Sequence, residues 1–178
     1  MTSIATPAKT YRAATAALLV TAVTKDRPWF VLQGITGKRI QLQRITLSCP
    51  TLTAAELLRI GLQKYSAAIA GGTATALTKV PATKDQGAST ATLCQVYTAV
   101  PNDPSANLIG NIAVRRVMAL TATPVATDSR PDVVFDFRSM TVEPPTLDTT
   151  AESFALVYLT ADAGSAVSMM LEVEWTEQ

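Results

Sequence analysis

The stretch "VSMMLEVEWTE", Val167–Glu177, decides how this chain is read. Val167, Met169, Leu171, Val173 and Trp175 alternate with Ser168, Met170, Glu172, Glu174 and Thr176. A period of two over that length predicts a β-strand with one buried face, since successive side chains on an extended backbone point to opposite sides.

Working outward, "SFALVYL" (residues 153–159) is a second β-rich run, and "ADAGSA" (161–166) between the two carries Gly164 as a turn residue. The pair is expected to form a hairpin. Further upstream, "DVVFDF" sets Val133, Phe135 and Phe137 on one face and Asp132, Val134 and Asp136 on the other. The first half reads alike, with strands over residues 29–33 and 38–49 joined by a connection bounded by Gly34 and Gly37. In the longer of these, Ile40 and Leu42 share one phase whereas Ile45, Leu47 and Cys49 share the other. Such a change of phase needs a twist or an extra residue, so a β-bulge is expected near Gln43 and Arg44. "AELLRIGLQKY" (55–65) fits a helical face or a strand; its internal Gly61 and its β-rich neighbours favour the strand. "TLCQVYT" (92–98) and "GNIAVRRVMAL" (110–120) add two more, separated by a turn at Pro101, Asn102, Asp103 and Pro104. Many short strands punctuated by Pro, Gly and Asn predict an all-β sandwich or barrel. Residues 1–25, rich in Thr and Ala, are expected to form an extended N-terminal arm lying on a neighbour, with the sandwich over 26–178.

Composition narrows the chemistry. The 178 residues are 48% hydrophobic and 16% charged, with a net charge of +1 and no histidine. Lack of histidine removes Ser-His-Asp and Cys-His catalysis and the usual zinc sites. Near-neutrality gives no footprint for free nucleic acid. Cys49 and Cys94 lack a Cys-x-x-Cys spacing and read as small buried hydrophobes, with a disulfide between them left open. "AATAALLVTAV" (13–23) has the length of a secretory leader core, yet Thr15 and Thr21 interrupt it and Lys25, Asp26 and Arg27 follow, so no leader is expected. No run approaches the ~20 apolar residues that span a bilayer, and a soluble chain without a membrane partner is expected.

Four groups of residues invite a functional reading. Gly71, Gly72 and Lys79, in "AGGTATALTKVPATKDQGASTAT", lack the spacing and following helix of a phosphate loop and read as turn geometry. Glu172 and Glu174 share a strand face about 7 Å apart, within the range of glycosidase carboxyls, although a solvated face explains them as well. Asn102, Asp103, Asn107 and Asn111 offer oxygen ligands without the dense carboxylates of a calcium loop. Tyr65, Tyr97, Trp29 and Trp175 could make a sugar-stacking platform, against which Trp175 already lies on an apolar phase. No catalytic residue, cofactor or metal is expected.

The order of landmarks resembles a group of small structural proteins of tailed bacteriophages. A strand of the "KRIQLQRITLS" kind is followed by a second strand, a Gly-Gly-Thr loop (Gly71, Gly72, Thr73), "VPATKD" (80–85), a strand ending in "VYTAVP" (96–101) and a terminal "EWTE" (174–177). The resemblance covers residues 28–178 and implies a jelly-roll-like sandwich that works as a non-enzymatic virion component, most simply a capsid decoration protein. Its implied partners are identical copies, in a trimer, and the major capsid protein. A tail- or fibre-associated protein, or a receptor- or carbohydrate-binding module on a tail appendage, is the alternative.

Overall fold

Strand β13, Val167–Glu177, lies at the centre of one of two packed sheets in the computed structural model, which describes residues 8–15, 18–20, 24–52, 56–91, 93–121, 133–138, 143–159 and 167–178. Its alternation is realised as expected: Leu171, Val173 and Trp175 are buried, and Met170 and Glu172 are exposed. On one side it pairs with β4 (Ile40–Leu52), on the other with β1 (Lys9–Ala14) and β2 (Leu18–Val20), and β7 (Val80–Pro81) extends the sheet beyond β1. The far edge of β4 is covered in turn by β11 (Thr146–Leu147), β10 (Val133–Asp136) and, in parallel, the end of β9 (Leu108–Thr121). The second sheet runs β6 (Thr73–Ala76), β8 (Leu93–Ala99), β3 (Pro28–Gln33), β12 (Ser153–Tyr158), β5 (Glu56–Tyr65), β9. The fold is an all-β antiparallel sandwich.

Opposite β4, Glu174 faces Arg44 while Trp175 faces Leu42, which leaves Gln43 as an extra residue. This is the bulge that the phase change in the sequence requires, and it lets Ile40, Leu42, Ile45 and Leu47 all reach the core. Residues 56–65 are a strand, with Ile60 and Leu62 inward. Between the sheets, Tyr11 stacks on Trp175 (6.0 Å between centroids) and Trp29 on Tyr158 (5.6 Å). Every one of the ten aromatic residues is buried, none more than 5% exposed.

Two expectations are corrected. The runs at 153–159 and 167–177 are not a hairpin: β12 lies between β3 and β5 in the second sheet, and β13 belongs to the first. Both edges of β12 are occupied and all six of its residues are buried, so it is a central strand covered on both faces, whereas β13 has one exposed face. The connection around Gly164 lies outside the described residues. Nor is the whole of residues 1–25 an arm on a neighbour. Lys9–Ala14 is β1, whose Tyr11 and Ala13 are 1% and 2% exposed and belong to the core. Residues 1–7, 16–17 and 21–23 lie outside the described residues.

The two sheets are joined at both margins. On one side β9 leaves the second sheet to pair with Thr51 and Leu52 of β4. On the other, three residues, 77–79, carry the chain from β6 in the second sheet to β7 on the first. The long polar excursion, described over 70–91, is therefore a strap that closes its own sandwich. Along the stretch of β9 that pairs only with β5 among the described residues, the register gains one residue at Ile109 and another at Ile112. Bulges of this kind twist a strand away from edge-to-edge pairing.

Gly71 and Gly72 start the strap at φ +79° and +68°, the left-handed region that glycine enters without steric cost. A Cβ at Gly72 would lie 2.6 Å from the Ala99 carbonyl oxygen, whereas one at Gly87 would meet open space. Gly72→Ala is therefore expected to cost about 1–3 kcal/mol in urea denaturation, and Gly87→Ala to stay within about 0.5 kcal/mol. Equal effects at the two positions would contradict this account of the strap.

Candidate functional site

The buried face of β13 ends in a charge. Glu177 continues the phase of Leu171, Val173 and Trp175, is 5% exposed, and accepts hydrogen bonds from Ser89 Oγ (2.6 Å), Thr90 Oγ1 (2.7 Å), Thr90 N (3.0 Å), Ala91 N (3.2 Å) and Trp175 Nε1 (3.0 Å). Burial alone pushes its carboxyl up, but the bonds from Ser89, Trp175 and Thr90 outweigh that and hold it below its usual value. Other contacts fasten the same strap: Tyr11 Oη donates to the Gly87 carbonyl (3.1 Å) and Ala82 N to the Thr10 carbonyl (2.9 Å). Lys79, weighed as a phosphate-loop lysine, instead donates to the Ala91 carbonyl (2.5 Å). The glycine pair and Lys79 thus build the strap and do not converge on an anion.

Glu172 and Glu174 lie on the outer face of the first sheet within a layer of cross-strand charges. Glu174 is bonded by Arg12 Nε (2.8 Å) and approached by Arg138 (3.9 Å). Asp136, also on that layer, is held down to about 2 by the Arg138 guanidinium (2.7 Å), with Arg44 4.0 Å away. The depression lined by Arg12, Arg44, Thr46, Arg138, Glu172 and Glu174 holds about 90 Å³. Small-molecule sites need roughly 300 Å³ or more, so the two glutamates do not flank a sugar-sized cleft.

The Asn and Asp residues of the 101–111 segment mostly shape turns. Asp103 Oδ1 accepts from Ser105 N (2.9 Å) at the start of the 3₁₀ turn Ser105–Asn107, and its carboxylate meets Arg27 (3.4 Å). Asn102 N donates to the Ala70 carbonyl and Asn107 N to that of Pro104 (both 2.9 Å). No group of three or more Cys, Asp or Glu residues placed to hold a metal ion occurs among the described residues. Trp29, Tyr65, Tyr97 and Trp175 are 1%, 1%, 3% and 0% exposed, so no stacking platform for a sugar exists at these positions. Cys94 is a free buried thiol, pushed up to about 12 by burial, and the side chain of Cys49 lies outside the described residues.

A larger cleft lies elsewhere, and sequence reading alone does not suggest it. On the outer face of the second sheet, Asp26, Gln63, Tyr65, Ser105, Leu108, Asn111 and Leu159 enclose about 330 Å³. Gln63 and Asn111 are direct cross-strand neighbours, joined Gln63 Nε2 to Asn111 Oδ1 at 2.9 Å, and the Tyr65 hydroxyl donates to Gln63 Oε1. Burial, with Asp26 and Asp103 nearby, raises the Tyr65 hydroxyl well above its ordinary value, so it stays protonated. Only the β5–β9 register, irregular here, brings these residues together. No protein family, curated protein or solved structure matches this chain.

The folded value of Glu177 lies below the 4.5 of a free carboxyl. Its contribution is therefore complete above pH 4.5 and is lost as pH falls through the lower, folded value. Glu177→Gln keeps the shape but removes the charge that five donor groups meet. It is expected to cost about 1–3 kcal/mol at pH 7, to flatten the acid limb of stability against pH, and to speed tryptic cleavage after exposed Lys84. Urea midpoints from pH 3 to 7 that fall in parallel for both proteins would rule out this role.

Proposed function

We propose that this chain is a non-enzymatic structural component of a tailed-bacteriophage virion, a capsid decoration protein that binds the shell as a homo-oligomer. The observation that carries the reading is where the landmarks of the phage-protein resemblance fall in the fold. Gly71, Gly72 and Thr73 open the strap, Val80 and Pro81 of "VPATKD" are β7, and Trp175 and Glu177 of "EWTE" lie beneath the strap and anchor its far end. Segments distant in sequence share one task, which is to seal a sandwich. A sealed module whose aromatic residues are all committed to its core suits a particle component that acts through its outer surfaces.

On this reading identical copies, as a trimer, and the major capsid protein are the partners. Among the exposed apolar side chains, Leu108, Ile109 and Val114 lie together on β9, and Ile109, at 56%, is the most exposed of them. An interface spread over copies fixed by shell symmetry gains affinity by avidity, so each contact can be weak.

Imaging and mass spectrometry of purified particles test the assignment. The chain is expected on the shell; density at the tail would move it to the tail or fibre class, and absence from virions would refute it. In sedimentation equilibrium, Ile109→Asp is expected to shift an oligomer towards monomer without lowering the melting temperature. An unchanged mass would exclude β9 as the contact.

A further inference from the structure

We propose that the cleft on the outer face of the second sheet binds one uncharged, hydroxyl-rich unit, a monosaccharide or the end of a saccharide chain. The inference stands on the cleft alone and does not depend on where the chain sits on a particle. At about 330 Å³ the space falls at the lower end of the range for small-molecule sites.

Its polar groups are ordered in one direction. The Tyr65 hydroxyl donates to Gln63 Oε1, and Gln63 Nε2 donates to Asn111 Oδ1, so the chain of bonds ends on Asn111 Nδ2, whose N–H groups have no partner among the described residues. Gln63 and Tyr65 are buried, at 4% and 1% exposed, and so hold Asn111 in one orientation. Asp26 also lines the cleft, and its exposed carboxylate pairs with the exposed Lys25 ammonium at 3.8 Å. Asp26 is the sole non-glycine residue with positive φ among those described (59°), a conformation secured by Asp26 N to the Tyr158 carbonyl (2.8 Å) and Arg27 N to the Thr24 carbonyl (3.2 Å). Strained non-glycine residues of this kind gather at binding sites. The Arg27–Asp103 ion pair (3.4 Å) ties the rim that bears Asp26 to the rim that bears Ser105.

The lining combines the Asn111 donor, the oxygens of Asp26 and Ser105 and the aliphatic side chains of Leu108 and Leu159. An anion is opposed by Asp26 and Asp103. A cation would satisfy Asp26 but leave the Asn111 N–H groups facing a second donor. A hydroxyl both gives and accepts, and the C–H face of a sugar ring packs on leucine, so a polyol satisfies every group. Aromatic stacking, absent here, is not needed for this mode.

The test uses the full ¹⁵N-labelled chain titrated separately with glucose, galactose and N-acetylglucosamine, and with methylammonium and phosphate. At least one sugar is expected to give saturable shifts at the Gln63 and Asn111 side-chain amides and at the Asp26 and Ser105 backbone amides. Asn111→Asp retains an oxygen that accepts from Gln63, which preserves the fold, but removes the donor; it is expected to raise the apparent Kd about tenfold or more. Ser105→Ala provides a second variant in the lining. Absence of saturable shifts with all three sugars, an unchanged Kd in Asn111→Asp, or stronger binding of methylammonium or phosphate would overturn the proposal.

Discussion

A carboxylate on the buried face of a strand cannot be left without donors, because an unpaired ion in the interior costs several kcal/mol. Glu177 imposes that condition on this fold. Its neighbours in phase, Leu171, Val173 and Trp175, seat β13 against the second sheet, and the carboxylate then draws Ser89, Thr90 and Ala91 over the same end of the sandwich. The strap is thereby fixed at both ends, by β6 on the second sheet and by Glu177 beneath the first. A polar loop of low charge, with Leu77 and Ala91 packed on the core, thereby acquires a single position.

Much of this was legible in the sequence because period-two patterns survive wherever one face of a strand is wet. The alternation of β13, the phase slip at Gln43 and the strand character of residues 56–65 all follow from which side chains reach the core. The strand at Lys9–Ala14 left a trace too, since Tyr11 and Ala13 alternate with Thr10, Arg12 and Ala14, but its small and polar residues resemble a tail as much as an edge. Sheet membership was not legible. β12 follows no alternation because both its faces are covered, and nothing local says that the next strand lies in the opposite sheet. Glu177 could have been found by extending the alternation two residues past Trp175. The cleft could not, since Gln63 and Asn111 become neighbours only through a register containing two extra residues.

The outer faces differ in kind. The first sheet carries a cross-strand layer of arginines and carboxylates, Arg12, Glu174, Arg138, Asp136 and Arg44, most of it solvated and therefore worth little to stability. Such a layer keeps a broad flat surface wet and discourages indiscriminate association. The second sheet carries a satellite core of Val31, Tyr65, Ile69, Tyr97 and Ala155 on its outer side. That cluster forms because the chain after β5 folds back over the strands, with Ile69 inserted and its carbonyl accepting from Tyr97 Oη (3.3 Å). Tyr65 belongs to this cluster and also floors the cleft, so the packing that covers the sheet also fixes the recognition groups.

The pairing of Lys9 with Glu177 joins the beginning of the described chain to its end. During synthesis the first sheet cannot assemble until β13 has left the ribosome, because both β1 and β4 use it as their neighbour. The second sheet is equally dependent on late residues, with β12 wedged between β3 and β5. Pairings this distant in sequence make folding slow compared with local structure formation and delay it until β13 has been made. A chain cut short before residue 153 therefore lacks the central strands of both sheets, and the hydrophobic faces of β3, β4 and β5 become an aggregation and proteolysis target. The fold thus makes the burial of its early strands conditional on β12 and β13.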